Sequence, residues 1–208
     1  PDYDGWTFYL AGGAIIKGDI GASPNNLTIR GPGVWAVLSG SGTPLNVRGN
    51  NFTLKDTIVV NRRDEWTVQV TGCNDANFEN FKLLSEIRDG FDVVNAQRVT
   101  LKNSFVMAHD DAICIKGQWY GNNEDVDTVN VENSVIANMG GGNCIEFGYE
   151  ASTPNMKNIT FKNLDLIHSL PNVSSADSAW PEGAITIHLD GPARISNVTY
   201  DDIRIENN

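Results

Sequence analysis

Short segments in which apolar and polar residues alternate recur along the whole chain. The recurring phrase is an apolar residue, Thr or Asn, a second apolar residue, any residue, and then Asn, Asp or Gly. Its seven copies are centred on Thr28, Thr53, Asn77, Thr100, Asn130, Thr160 and Thr199. A period of two predicts strands with one buried face. The Asn or Asp that closes most copies predicts a tight bend, because these residues tolerate a left-handed backbone.

The spacing of the copies predicts the architecture. Successive centres are 25, 24, 23, 30, 30 and 39 residues apart, and two further short strands follow in most copies. Three strands in each repeat predict an all-β parallel β-helix, a single-stranded solenoid of about seven coils. A propeller needs about 40–45 residues per blade, which the first spacings exclude. We expect one β-helix domain over residues 1–208, and because the pattern runs to both ends, a partial or trimmed chain.

The two regions of longer spacing predict loops that emerge from the coil. Residues 117–126 and 169–182 are polar and contain the aromatic residues Trp119, Tyr120 and Trp180. In solenoids, such insertions tend to lie on the binding face. These three rings are candidates to stack on a sugar, and packing against the coil is the alternative interpretation.

Composition and charge narrow the classes of partner. The formal net charge is -11, and an acidic surface repels phosphate backbones, so no nucleic-acid partner is expected. No apolar run is long enough for a membrane-spanning helix. His and Cys lack zinc spacing and no phosphate-binding loop follows the Gly140–Gly142 run, so neither a metal nor an organic cofactor is predicted. The three cysteines, an odd number, exclude a complete internal disulfide framework.

The solenoid register brings distant acidic residues together, because neighbouring strands lie about 4.8 Å apart. Three pairs lie just before the third strand of successive coils: Arg88-Asp89, Asp110-Asp111 and Gly142-Asn143. The first outward row of that strand contains Asp92, Cys114 and Glu146. The next outward row contains Lys116 and His188. Like charges packed so closely raise the pKa of at least one carboxyl. A general acid and general base working as a pair need such a difference in pKa.

Two segments at this patch resemble the signature of the polygalacturonase family and its dextranase-type relatives. They read Ile87-Arg88-Asp89-Gly90-Phe91-Asp92 and His109-Asp110-Asp111-Ala112-Ile113-Cys114-Ile115-Lys116. The resemblance implies a right-handed, pectin-lyase-like β-helix and a secreted or periplasmic glycoside hydrolase that inverts the anomeric centre. It also implies that Asp110 is the general acid and that Asp89 and Asp111 hold and deprotonate the attacking water. The surrounding substrate-binding candidates are Asp92, Lys116, Asn143, Glu146, His188, Trp119, Tyr120 and Trp180.

The sequence departs from the polygalacturonase pattern at two places. Gly142-Asn143-Cys144 stands where that family has Gly-His-Gly, and Thr186-Ile187-His188 stands where it has Arg-Ile-Lys. Without those two cations, a galacturonate ring loses its charge-assisted anchor. The dextranase-type relatives share the three Asp residues without the cations. The expected substrate is therefore a polysaccharide or oligosaccharide that is neutral or weakly charged.

Two other functions remain open at this point. A polysaccharide lyase on the same coil would use the acidic patch to hold Ca²⁺ and Lys116 as the base. A non-catalytic β-helix would bind glycan without cleaving it. Sensitivity to a chelator would identify the lyase, and indifference to loss of Asp110 would identify the binding module.

Overall fold

A computed structural model describes residues 3–118, 124–169 and 183–206 of the chain. The strands are, in chain order, β1 (Thr7–Tyr9), β2 (Ile15–Lys17), β3 (Ile20–Ala22), β4 (Thr28–Arg30), β5 (Val34–Val37), β6 (Leu45–Val47), β7 (Phe52–Lys55), β8 (Ile58–Asn61), β9 (Val68–Thr71), β10 (Asn74–Glu79), β11 (Lys82–Ser85), β12 (Phe91–Val94), β13 (Gln97–Lys102), β14 (Phe105–Ala108), β15 (Ile113–Gly117), β16 (Val126–Asn138), β17 (Ile145–Ala151), β18 (Asn155–Ile167), β19 (Ile185–Leu189) and β20 (Arg194–Ile205). Within the described ranges, no helix is long and apolar enough to cross a membrane.

The strands stack in parallel into the right-handed β-helix that the sequence predicted. Every third strand along the chain joins the same stack until β16, where the first and second strands of a coil merge into one long, bent strand. The third strands form a separate stack in the order β3-β6-β9-β12-β15-β17-β19, which gives seven coils within the described residues. A short strand at the start, Thr7–Tyr9, pairs with the first phrase copy and precedes the seven copies.

The register confirms the recurring phrase as the repeat unit. The phrase centres stand directly opposite one another in neighbouring coils, in the order Thr28, Thr53, Asn77, Thr100, Asn130, Thr160, Thr199. The predicted bends are also present, because the closing residues have a left-handed backbone, with φ of 62° at Asp56, 48° at Asn80 and 53° at Asn103. Asn or Asp at most of these corners lets the chain turn without glycine, whereas the first copy closes with Gly31, whose φ is 117°.

The interior of the coil is a continuous apolar column. Its largest fully buried side chains include Trp35, Phe52, Phe78, Phe91 and Phe147, and the rings of Phe78 and Phe91 meet edge to face with centroids 4.7 Å apart. In the middle third strands β12 and β15, the outward-facing side chains are buried as well. Polar residues on the outer face of these strands have therefore lost most of their water.

Candidate active site

The residues before the third strands line up across three coils. The amide of Gly90 donates to the carbonyl of Asp111 at 2.8 Å, and the amide of Ala112 donates to the carbonyl of Asn143 at 2.9 Å. These bonds place Asp89, Asp111 and Asn143 at the same position of successive coils, as the sequence predicted. The carboxylates of Asp89 and Asp111 each offer an oxygen within 4.8 Å of the other.

The outward row of the third strands is also in the predicted register. Gln69, Asp92, Cys114, Glu146 and Thr186 stand opposite one another from β9 to β19. The next outward row is not continuous, and this corrects the sequence-based expectation that Lys116 and His188 share it. The pairing of β15 with β17 shifts after Ile115, where Gly117 pairs with Ala151.

The register shift gives Lys116 a surrounding that the sequence did not predict. The ammonium is 2.6 Å from Asp89 Oδ2, 3.5 Å from Asp92 Oδ1 and 3.1 Å from Glu150 Oε2. It also lies 4.0 Å from the centre of the Trp66 ring, a favourable cation–π arrangement. Neither Glu150 nor Trp66 was predicted as a site residue. An unbroken register gives no sign that two extra residues of β17 bring Glu150 beside Lys116.

Burial sets the protonation of this cluster. Lys116 is 3% exposed, Asp89 2% and Asp92 0%. Burial and the neighbouring Asp89 raise the pKa of Asp92 well above its usual range, and burial also raises the pKa of Asp89, against the effect of Lys116. Burial alone would lower the pKa of Lys116, but its acidic neighbours outweigh burial and raise that pKa well above its usual range; they are, in order of effect, Cys114, Asp92, Asp89 and Glu150. Lys116 is therefore a permanent cation at neutral pH.

A cavity of about 420 Å³ opens beside the lysine cluster, toward the C-terminal coils. It is lined by Asp110, Asp111, Gly141, Gly142, Asn143, Glu146, Tyr149 and His188. The structure thus brings five of the predicted site residues to one cavity. Asp89, Asp92 and Lys116 do not line this cavity.

Asp110 is the carboxyl best suited to donate a proton into the cavity. Its side chain is 31% exposed, and its Oδ2 is 3.9 Å from a guanidinium nitrogen of Arg88. Burial, followed by the charges of Asp89 and Asp111, raises the pKa of Asp110 to about 7, against the opposing effect of Lys116 and Arg88. A substantial fraction of Asp110 is therefore protonated near neutral pH, whereas an ordinary aspartic acid would be ionised.

Asp111 is held rigidly by a chain of hydrogen bonds from the next two coils. Its Oδ1 accepts from the backbone amide of Asn143 at 2.8 Å and from the side-chain amide at 2.7 Å. The Asn143 side-chain amide is also 3.2 Å from Glu146 Oε2, and its Oδ1 accepts from Thr186 Oγ1 at 2.5 Å. With both ends of the amide engaged, Asn143 fixes the direction in which Asp111 points.

Glu146 belongs to the same network as a neutral group. Burial, followed by a hydrogen bond with Asp111, raises the pKa of Glu146 to about 10. Its Oε1 lies 2.8 Å from Nδ1 of His188. The acidic patch therefore carries less negative charge than its composition implies, because Glu146 keeps its proton at neutral pH.

Gly142 allows the two catalytic candidates to converge. A Cβ at this position would lie 2.8 Å from Asp110 Oδ1, from Asp111 Oδ1 and from the backbone nitrogen of Asp111. No side chain fits there unless both carboxylates move. Glycine at this position is thus a packing requirement of the site.

The donor atoms at the centre suit a calcium ion poorly. Asp89, Asp111 and Cys114 offer the only close group of possible ligand atoms among the described residues. Ca²⁺ binds oxygen ligands, whereas one of these three is a thiol whose pKa burial raises well above its usual range. Asp89 also already has the Lys116 ammonium at 2.6 Å.

Three predicted aromatic contacts, Trp119, Tyr120 and Trp180, lie outside the described residues. Conversely, Arg88 and Tyr149 were not predicted and belong to the site: Arg88 faces Asp110, and Tyr149 lines the cavity while remaining 46% exposed. Arg88 sits inside the first signature segment, where its charge was the available signal.

Comparisons with known proteins identify no family for this chain. No family model matches it, and no curated protein matches it. Among solved structures, the catalytic domain of a GH87 alpha-1,3-glucanase in complex with nigerose matches with a TM-score of 0.47 and 14% identity, covering 96% of this chain and 48% of that one. The chain thus spans about half the length of that neighbour. A likeness at this level carries no argument about activity, which has to come from the geometry of the site.

Proposed function

We propose that the chain is a glycoside hydrolase that cleaves a polysaccharide or oligosaccharide with inversion of the anomeric centre. The observation that carries the proposal is that Asp110, with a pKa of about 7, lines the same cavity as the rigidly held Asp111. A protonated carboxyl and a positioned carboxylate in one cavity are the two groups that glycoside hydrolysis requires.

In the proposed reaction, Asp110 donates its proton to the glycosidic oxygen as the bond from that oxygen to the anomeric carbon breaks. Asp111 takes a proton from a water that attacks the same carbon from the opposite side. The proton of the water ends on Asp111, and solvent restores both groups after the products leave. This scheme is supported by the rigid hold on Asp111, because an oriented base needs no reorganisation when it accepts the proton.

Asp89 contributes differently from the role that the resemblance implies. Its side chain is nearly inaccessible and its Oδ2 accepts from Lys116 at 2.6 Å, so we assign water activation mainly to Asp111. Asp89 raises the pKa of Asp110 by its charge. Lys116 in turn lowers the pKa of Asp89 against the larger effect of burial and so favours its ionised form. Asp89 is then a positioning and electrostatic residue of the catalytic group.

We propose a neutral or weakly charged glycan as the substrate. Among the described residues, the Lys and Arg side chains nearest to the cavity are both engaged by carboxylates: Lys116 contacts Asp89, and Arg88 pairs with Asp64. An additional uronate carboxylate would approach Asp110 and Asp111, and neither of these two described cations is free to receive it.

The lyase alternative is disfavoured by the state of its candidate base. A lyase needs Lys116 to be unprotonated when it abstracts a proton, but the raised pKa and the contacts with Asp89 and Glu150 keep it charged at neutral pH. The two reactions also leave different products, because a lyase creates an unsaturated sugar and a hydrolase does not.

Proton NMR of a digest tests the proposed reaction directly. Neutral polysaccharides are supplied one at a time, and the first-formed anomer is followed before mutarotation. We expect the inverted anomer and no unsaturated product, and we expect Asp110→Asn to abolish turnover while Asp56→Asn, a matched change at an exposed bend, leaves it intact. Retention of configuration would refute the mechanism. Full activity of Asp110→Asn would refute the assignment of the acid.

A further inference from the structure

A second cavity lies on the other side of Asp110, toward the N-terminal coils. Its volume is about 300 Å³, and its lining includes Thr43, Glu65, Trp66, Arg88 and Gln118. It opens on the same outer face as the first cavity, because its wall residue Gln69 belongs to the outward row that continues through Asp92 and Cys114 to Glu146.

Asp110 stands at the boundary between the two cavities. Arg88 lines the N-terminal cavity, pairs there with Asp64 and reaches Asp110 Oδ2 at 3.9 Å. Gln69 in one cavity and Glu146 in the other are three coil steps apart, which corresponds to about 14 Å along the axis. A bond protonated by Asp110 therefore has a cavity on each side.

The N-terminal cavity has the polar and aromatic groups that a sugar ring needs. Gln118 Oε1 is buried and has no hydrogen-bond partner among the described residues; a buried acceptor left in this state costs about 1–3 kcal/mol. A sugar hydroxyl can donate to it. Trp66 adds an indole ring at the cavity wall, and aromatic rings pack well on the apolar faces of sugars.

The charge of the cavity selects against anionic sugars. Arg88 is the one basic residue in the described lining, and it already pairs with Asp64. The charge of Glu65 is not balanced within this lining, so the net charge of the cavity is negative. A uronate would be repelled, whereas a neutral hexose meets hydrogen-bonding groups without an electrostatic penalty.

We propose that the N-terminal cavity is a second sugar-binding site, which holds a neutral sugar unit on the far side of the scissile bond from the first cavity. The glycan then lies across Asp110 along the coil axis, and the enzyme cleaves bonds inside the chain. The predicted cleavage inside the chain rests on the proposed hydrolase function, whereas the predicted binding depends only on the N-terminal cavity.

Binding and cleavage of a hexasaccharide are measured separately. The probes are neutral α- and β-linked glucose hexasaccharides, with hexagalacturonate as the anionic counterpart. Side-chain amide signals in ¹H–¹⁵N spectra of the Asp110→Asn protein report each cavity, Gln118 for the N-terminal one and Asn143 for the other, and Gln97 on the far stack β13 is the control. We expect a neutral hexasaccharide to move both cavity signals, hexagalacturonate to move neither, and Gln97 to stay unchanged.

Affinity and products complete the test. Gln118→Ala should weaken hexasaccharide binding about fivefold, the equivalent of one hydrogen bond, and the matched Gln97→Ala should not. Wild-type protein should cut a hexasaccharide labelled at its reducing end into fragments of two to four units. A hexasaccharide that moves Asn143 but not Gln118, or release of single sugars alone, would overturn the proposal. Movement of Gln118 without hydrolysis by the wild type would leave the binding site standing and refute the proposed function.

Discussion

Replacement of Asp110 by Asn should make the protein inactive and, above neutral pH, more stable. The change keeps the shape of the side chain and removes the titrating group. An unfolded chain ionises this carboxyl near its ordinary pKa of 3.8, whereas the folded protein holds the proton until about pH 7. Folding therefore opposes ionisation, and the wild type carries that cost wherever the unfolded chain would be charged.

The size and sign of the effect follow from these two pKa values. A raised carboxyl pKa in the folded state gives no penalty below about pH 4, a growing penalty between about 4 and 7, and the full penalty above about 7. At about 1.4 kcal/mol for each pKa unit, the upper limit is about 4 kcal/mol. The side chain is 31% exposed, and solvent screening reduces the expected gain of Asp110→Asn to about 1–3 kcal/mol.

Urea denaturation of both proteins at pH 4 and pH 8 measures the difference. Asp110→Asn should unfold at a higher urea concentration than wild type at pH 8, with an unchanged dependence on urea, and the gain should disappear toward pH 4. Asp56→Asn is the matched control, since Asp56 is an exposed bend residue whose Oδ1 accepts from Asn80 at 2.8 Å. A stability difference that is the same at both pH values, or a loss of stability at pH 8, would refute the raised pKa of Asp110.

Three further outcomes are expected. The Lys116→Met variant should lose about 3–5 kcal/mol of unfolding free energy at pH 7, because Asp89 would remain buried without its cation; a loss below about 1 kcal/mol in urea denaturation would contradict the buried pair. Gly142→Ala should fold but lower kcat at least tenfold, since its Cβ displaces both Asp110 and Asp111; unchanged kcat would show that their positions are not critical. In the pH profile of kcat/KM, activity should fall as pH rises through about 7, when Asp110 loses its proton; a profile flat from pH 6 to 9 would assign the acid to another group.

The repeat could be predicted from the sequence because each coil solves the same physical problem. Apolar residues on both sides of Thr28, Thr53 and the later phrase centres fill one continuous core, and a slip by one residue would turn them outward. The corners followed for a local reason, since residues such as Asp56 and Asn80 adopt the left-handed backbone at modest cost. The bend residues and the apolar positions therefore specify the same alignment in each coil, and this alignment sets the register between neighbouring coils.

The candidate site was predicted in part for the same reason. Once the register is known, Asp89, Asp111 and Asn143 must stack, because equivalent positions of neighbouring coils are one strand spacing apart. The prediction failed where the register breaks. Lys116 and His188 separate into different surroundings, since the shift between β15 and β17 brings Glu150 beside the lysine.

By itself, the sequence determined the solenoid, its corners and the row of carboxyls, because these depend on a short-range pattern repeated at a fixed spacing. The tertiary structure alone decided which carboxyl faces the cavity and which is buried. Asp110 and Asp89 have the same chemistry and similar positions in the repeat, yet one is 31% exposed near Arg88 and the other is closed off beside Lys116. Protonation depends on burial and on charges contributed by several coils, and those distances exist only after the coils have stacked.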